Sequence, residues 1–208
     1  MLIVSQNLTN YDVDLPDDVI YRVNLAWIND LGNLKEIIKR HQNNKIFLDL
    51  PKNRTKPPNN KYSMDELKPI LDSSPNIKYF AISNVDSAED LSKFLGYVSD
   101  NIVVVPKIES LLGINNIEEI SKLLGQEKII MLDHDDLYSS MLQSNDDPNN
   151  FQSYIRTLIE FCNSNHIFIL KHHFIYNRYN IQSSFYYRES DLLLSDKIHL
   201  SYLNYDFS

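Results

Sequence analysis

Short apolar runs rich in β-branched and aromatic residues recur along this chain, and segments with helical spacing lie between them. The runs are MLIVS (1–5), VIYRVNLAW (19–27), KIFLDL (45–50), IKYFAIS (77–83), IVVVPKIE (102–109), KIIMLDH (128–134), HIFILKH (166–172) and KIHLSYL (197–203). Continuous apolar runs bounded by polar residues predict strands buried on both faces. Between them, NLKEIIKRH places Leu34, Ile37 and Ile38 on one face. SMDELKPILDS opens with Ser63 and Glu66 at capping-box spacing, and SAEDLSKFLGYV repeats the pattern with Ser87 and Asp90. INNIEEISKLLG ends on Gly125, a helix-stop residue, and FQSYIRTLIEFC carries a long apolar stripe; 181–195 is a weaker helix candidate. Strands alternating with helices predict βαβ units and a parallel sheet. Eight runs point to a compact (β/α)₈ TIM barrel, a single domain over 1–208. Its first crossover (6–18) is short, and its last helix is missing or truncated. A doubly wound open sheet is the structural rival.

Composition narrows the function classes. With 208 residues, 43% of them hydrophobic, the chain can bury one sizeable core. A net charge of −8, with acids and bases mixed, argues against a nucleic-acid or membrane-surface partner, which would need a basic face. The one cysteine, Cys162, excludes an internal disulfide. No apolar run approaches the roughly 20 residues of a membrane span. MLIVSQNLTN lacks the basic start of a signal peptide, so a soluble cytoplasmic protein is expected. No GxGxxG, Walker-type or GxSxG pattern occurs, which removes support for a glycine-rich phosphate loop or a serine hydrolase. A truncated last helix leaves apolar sheet surface that a second copy could cover, making a homo-oligomer one expectation.

The C-terminal ends of the predicted strands are unusually polar. Strand two ends with Arg22 and Asn24, strand three with Asp49 followed by Lys52 and Arg54, and strand five with Lys107 and Glu109. Strand six ends with Asp133, His134, Asp135 and Asp136, and strand seven with Lys171, His172 and His173. In a barrel of this kind that rim carries the active site. Glu109 and Asp136 are hard oxygen donors suited to Mg²⁺ or Mn²⁺. Such a cation would act as a Lewis acid on a carbonyl or enolate oxygen. Lys107 beside it can offset developing negative charge, and Arg22 and Arg54 can grip carboxylate or phosphate with a planar fork. Each residue also has a plainer role open to it. Lys107 and Glu109 can be a structural ion pair, Asp136 a helix cap, Arg54 a solvated loop residue, and His172 and His173 non-catalytic side chains.

The order of these motifs resembles the barrel domain of pyruvate kinases, and more distantly the citrate lyase β-subunit and class II 2-oxo acid aldolases. RVNLAWIN (22–29) is similar to R-x-N-F-S-H-G, FLDLPKNRT (47–55) to L-L-D-x-K-G-P-x-I-R-T, and YFAISNVDSAEDL (79–91) to F-I-A-x-S-F-V-R-S-A-E-D-V. VPKIESLLGINNIEEI (105–120) resembles A-K-I-E-N-x-E-G-x-x-N-x-D-E-I, and IIMLDHDDLYSSM (129–141) resembles I-M-V-A-R-G-D-L-G. RTLIEFCNSNHIFILKHHFI (156–175) follows the helix and strand that end in A-T-Q-M-L. The resemblance implies that Glu109 and Asp136 hold the divalent metal and that Lys107 faces the phosphoryl group or enolate. It implies phosphate binding by Arg22, a monovalent-cation site at Asn24 and Asp49, and a nucleotide phosphate at Arg54. His172 stands where the family has an active-site threonine.

Departures from the family pattern modify that picture. Only about eight residues separate Arg54 from the next helix, where the family inserts its nucleotide lid, and no regulatory domain is expected after the barrel. Asp135 replaces a glycine that helps hold the substrate carboxylate, and Ala26 replaces a serine of the cation site. The expected activity is therefore divalent-metal-dependent chemistry on phosphoenolpyruvate, pyruvate or a related 2-oxo acid, of phosphoryl or enolpyruvyl type, without the nucleotide lid. The alternatives are a 2-oxo acid aldolase or lyase, and a non-catalytic barrel used for binding. In every case the expected partner is a small anion.

Overall fold

The computed structural model describes residues 2–6, 19–52, 58–176 and 182–188, with side chains placed over 19–52 and 58–170. Its strands are β1 (Leu2–Gln6), β2 (Ile20–Asn24), β3 (Lys45–Leu50), β4 (Ile77–Ile82), β5 (Val103–Ile108), β6 (Ile129–Leu132), β7 (Phe168–Tyr176) and β8 (Gln182–Arg188). The helices are α1 (Leu31–Arg40), α2 (Met64–Ser73), α3 (Ala88–Leu95), α4 (Leu111–Asn115), α5 (Ile117–Ser121), α6 (His134–Gln143) and α7 (Phe151–Ser164).

Strands β2 to β7 form a six-strand, all-parallel, curled half-barrel sheet with helices against its outer face. Adding β1 parallel to β2 extends it. The expectation of an eightfold (β/α)₈ barrel is corrected here. Strand β8 runs antiparallel to both β7 and β1, so hydrogen bonding returns to β1 through a hairpin strand and not through an eighth βα unit. Chain length explains this. Five residues separate Tyr176 from Gln182, whereas a parallel crossover needs about a dozen or more. The helix expected over 181–195 is strand β8 at 182–188. The strand expected at 197–203 and the first crossover beyond Gln6 lie outside the described residues.

The sheet separates two apolar layers. Ile20, Phe47, Tyr79, Val105, Met131 and Leu170 pack together on the concave side. Their sequence neighbours Tyr21, Ile46, Leu48, Phe80, Ile82 and Leu132 point outward and pack on Leu34, Leu67, Ile70, Leu91 and Leu158 of the helices. A strand sends successive side chains to opposite faces, so both faces must be apolar where both are covered. Each such fully buried aliphatic or aromatic side chain contributes about 1.5–3 kcal/mol.

Local sequence sets the helix starts. Ser63 accepts from Glu66 N while the Glu66 carboxylate accepts from Ser63 N, a complete capping box. The hydroxyls of Ser87 and Ser110 cap α3 and α4 by accepting from the N3 backbone N–H groups of Asp90 and Gly113, without the reciprocal bond of a capping box. The single helix expected from 114 is broken at Asn116, whose side-chain amide donates to Asp86 O at 2.8 Å.

Candidate functional site

The inward-facing side chains of the strands change character along their length. Ile20 is followed two and four residues on by Arg22 and Asn24, Phe47 by Asp49, Ala81 by Ser83, Val105 by Lys107 and Glu109, and Met131 by Asp133. Period-2 alternation carries all of these into one column facing the sheet's concavity, so the polar set forms a layer above an apolar floor. Asp49, Ser83, Lys107 and Glu109 are buried there.

The charges in this layer are linked. Arg22 donates to Asp49 Oδ2 from Nε at 3.0 Å and from a terminal nitrogen as well. Lys107 Nζ lies 4.0 Å from the same Asp49 oxygen and 2.7 Å from Glu109 Oε1, and donates to Ser83 Oγ at 3.1 Å. The 2.7 Å contact joins two buried groups of opposite charge, an ion pair inside the layer. Glu109 Oε2 accepts from the backbone N–H of Asn84 at 2.7 Å. Burial pushes the Glu109 carboxyl above its ordinary range and the Asp133 charge adds to the rise. The Lys107 ammonium and the Asn84 N–H oppose it.

Glu109, Asp133 and Asp136 each offer a carboxylate oxygen, and these atoms lie within 4.8 Å of one another. Two oxygens on a Mg²⁺-sized ion, about 2.1 Å from each, are at most about 4.2 Å apart. Three oxygens cannot all be opposite one another, and neighbouring oxygens around such an ion sit about 3 Å apart, so carboxylates within 4.8 Å of one another would draw together by up to roughly 2 Å to share it. The donor set is all hard oxygen, as Mg²⁺, Mn²⁺ or Ca²⁺ prefer. Within this layer the described side chains include four carboxylates (Asp49, Glu109, Asp133, Asp136) and two basic groups (Arg22, Lys107), an excess of two negative charges.

Of the residues expected at the site, Lys107, Glu109, Arg22 and Asp49 lie in one connected network, and Asp136 joins Glu109 in the carboxylate group. Asn24 is on the same column, and its Oδ1 accepts from Ala26 N at 3.0 Å, capping the short 3₁₀ turn Leu25–Trp27. Arg54 lies outside the described residues. His172 is in strand β7 opposite Tyr186 of β8, a backbone placement only, and His173 follows it opposite Phe185. The helix-cap role open to Asp136 belongs instead to Asp133, whose Oδ1 accepts from Asp135 N and Asp136 N at 3.1 and 3.2 Å. Sequence reading missed Asp133 as a third carboxylate of the group and missed Ser83 and Asn84 altogether. The signal for Asp133 is its even spacing from Ile129 and Met131.

No protein-family model matches the chain, and no curated protein matches it in sequence. Solved structures do match in shape. The citrate synthase SbnG aligns with a TM-score of 0.55 at 16% identity, covering 87% of this chain and 73% of that one. RipC from Yersinia pestis aligns at 0.52 with 13% identity, covering 73% and 68%. The pyruvate kinase of Cryptosporidium parvum in complex with ADP aligns at 0.52 with 13% identity, covering 72% of this chain and 50% of that one. This chain thus spans about half the length of that pyruvate kinase. At these identities the likeness is one of fold.

Proposed function

We propose that this chain binds a divalent cation at Glu109, Asp133 and Asp136 and acts there on a small 2-oxo acid or enolpyruvate anion. The observation that carries this reading is the group of three carboxylates within 4.8 Å of one another, beside the buried ammonium of Lys107. Two shape-related structures named as a pyruvate kinase and a citrate synthase support the substrate class. The sequence resemblance to pyruvate-kinase barrels points the same way.

The cation, when bound, would supply Lewis-acid polarisation of the substrate's carbonyl or enolate oxygen. The chain's own groups do the rest. Lys107 Nζ, held by Ser83 Oγ and Glu109, offsets negative charge that builds on the substrate oxygen. Arg22, oriented by Asp49, adds positive charge on the same rim for a carboxylate or phosphate. The apolar floor of Phe47, Tyr79, Val105 and Met131 keeps water from beneath the reacting atoms.

Enolate formation is common to phosphoryl and carbon–carbon chemistry on these acids, so it gives the broadest test. Exchange of the pyruvate methyl protons with D₂O, followed by ¹H NMR with and without Mg²⁺, reads it directly. The proposal expects Mg²⁺-dependent exchange that falls at least about 100-fold in Lys107→Met and disappears in Glu109→Gln. Exchange no faster than with Mg²⁺ alone would sink it.

A further inference from the structure

We propose that Asn84 is a positioning residue for the carboxylate site: its left-handed backbone aims its N–H at Glu109 Oε2. The inference deepens the cation-site reading and rests on it for its functional consequence.

Asn84 follows Ser83 at the end of β4 and has φ 51°, in the left-handed region that few residues other than glycine, asparagine and aspartate enter readily. Three successive N–H groups of this turn face three different acceptors. Ser83 N donates to Leu50 O of β3 at 3.1 Å, Asn84 N to Glu109 Oε2 at 2.7 Å, and Val85 N to Lys107 O of β5 at 3.2 Å. The Asn84 side-chain Nδ2 donates to Lys52 O at 2.5 Å, just past the end of β3. One residue therefore ties the C-terminal ends of β3, β4 and β5 together and holds one oxygen of the buried Glu109 carboxylate. On its far side the turn lies close to α4, where Val85 O is 2.8 Å from where a Cβ on Gly113 would sit.

An N–H donated to a buried carboxylate is a charge-assisted bond, and it fixes how the second oxygen is presented. Groups that orient metal-binding side chains typically change metal affinity by 10–100-fold when lost. Glycine at position 84 keeps both the left-handed turn and the N–H. A β-branched residue disfavours that backbone and turns the N–H away.

The experiment uses the full chain and Mn²⁺ as probe, read by EPR, together with the amide ¹H–¹⁵N resonance of Asn84. The expected result is Mn²⁺ affinity within about threefold of wild type in Asn84→Gly and at least about tenfold weaker in folded Asn84→Val. The Asn84 amide proton is expected far downfield and to move upfield in Glu109→Gln. Equal affinity in the Val and wild-type proteins, or equal loss in the Gly and Val proteins, overturns the inference. An Asn84 amide unmoved by Glu109→Gln overturns it too. If wild-type protein binds no Mn²⁺, the cation reading fails, and the amide resonance alone decides the placement of Asn84.

Discussion

Asp133 offers Oδ1 to the backbone N–H groups of Asp135 and Asp136, and the same carboxylate belongs to the group with Glu109 and Asp136. Those two roles separate by substitution. Asp133→Asn keeps a capping oxygen but loses the charge, so stability should change by less than about 0.5 kcal/mol while Mn²⁺ affinity drops at least about tenfold. Asp133→Ala loses the cap as well and should cost about 1 kcal/mol. Calorimetric titration and thermal melts on the two variants measure this. Glu109 sets the pH dependence. Its carboxyl is raised above the ordinary 4.5 chiefly by burial, against the pull of Lys107. A folded value above the unfolded one means its contribution to stability is fully present below pH 4.5 and is lost as pH rises through the raised value. A cation binds the charged form, so Mn²⁺ affinity should climb with pH through that same window, with proton release. Titrations in two buffers of different ionisation heat detect the released proton; identical heats would rule it out. At this scale Lys107, Glu109 and Arg22 were legible from charge at apolar strand ends. Asn84 was not, because what it offers Glu109 is a backbone N–H, and asparagine's tolerance of positive φ does not say where that N–H will point.

Helix starts carried their own signatures, and the Ser63–Glu66 capping box appears as its spacing predicts. Ser63→Ala should cost about 1 kcal/mol and leave cation affinity unchanged, since α2 starts outside the carboxylate group. Gly113, in the first turn of α4, meets a different constraint. A Cβ there would sit 2.8 Å from Val85 O and 3.3 Å from Ile108 Cγ2. Gly113→Ala should therefore cost about 1–3 kcal/mol, and by pushing on the 83–85 turn it should also weaken cation binding, which Ser63→Ala does not. Denaturant melts paired with Mn²⁺ titrations compare the two. Elements held by long-range contacts were less legible. The break at Asn116 depends on a hydrogen bond to Asp86, thirty residues away, and β8 is a strand because β7 and β1 lie on either side to pair with it. Neither cause is local, and propensity yields to such pairing.

Over the whole molecule, alternating apolar runs and amphipathic segments were enough to predict a parallel sheet with helices outside, and six parallel strands from β2 to β7 are present. Extrapolating that repeat to eight units failed where the chain between β7 and β8 became too short for a crossover. The curled sheet nonetheless brings Arg22, Asp49, Lys107, Glu109 and Asp133 from four strands to one layer, because parallel strands all present their C-terminal ends on the same side. Among the described residues no helix is long and apolar enough to cross a membrane. The central claim is that this layer holds a divalent cation. Crystals soaked in Mn²⁺ and examined by anomalous scattering test it most directly. The account predicts one peak bounded by the carboxylates of Glu109, Asp133 and Asp136, absent in Glu109→Gln crystals. Saturating Mn²⁺ with no peak there, and the Lys107–Glu109 contact unchanged, would contradict it.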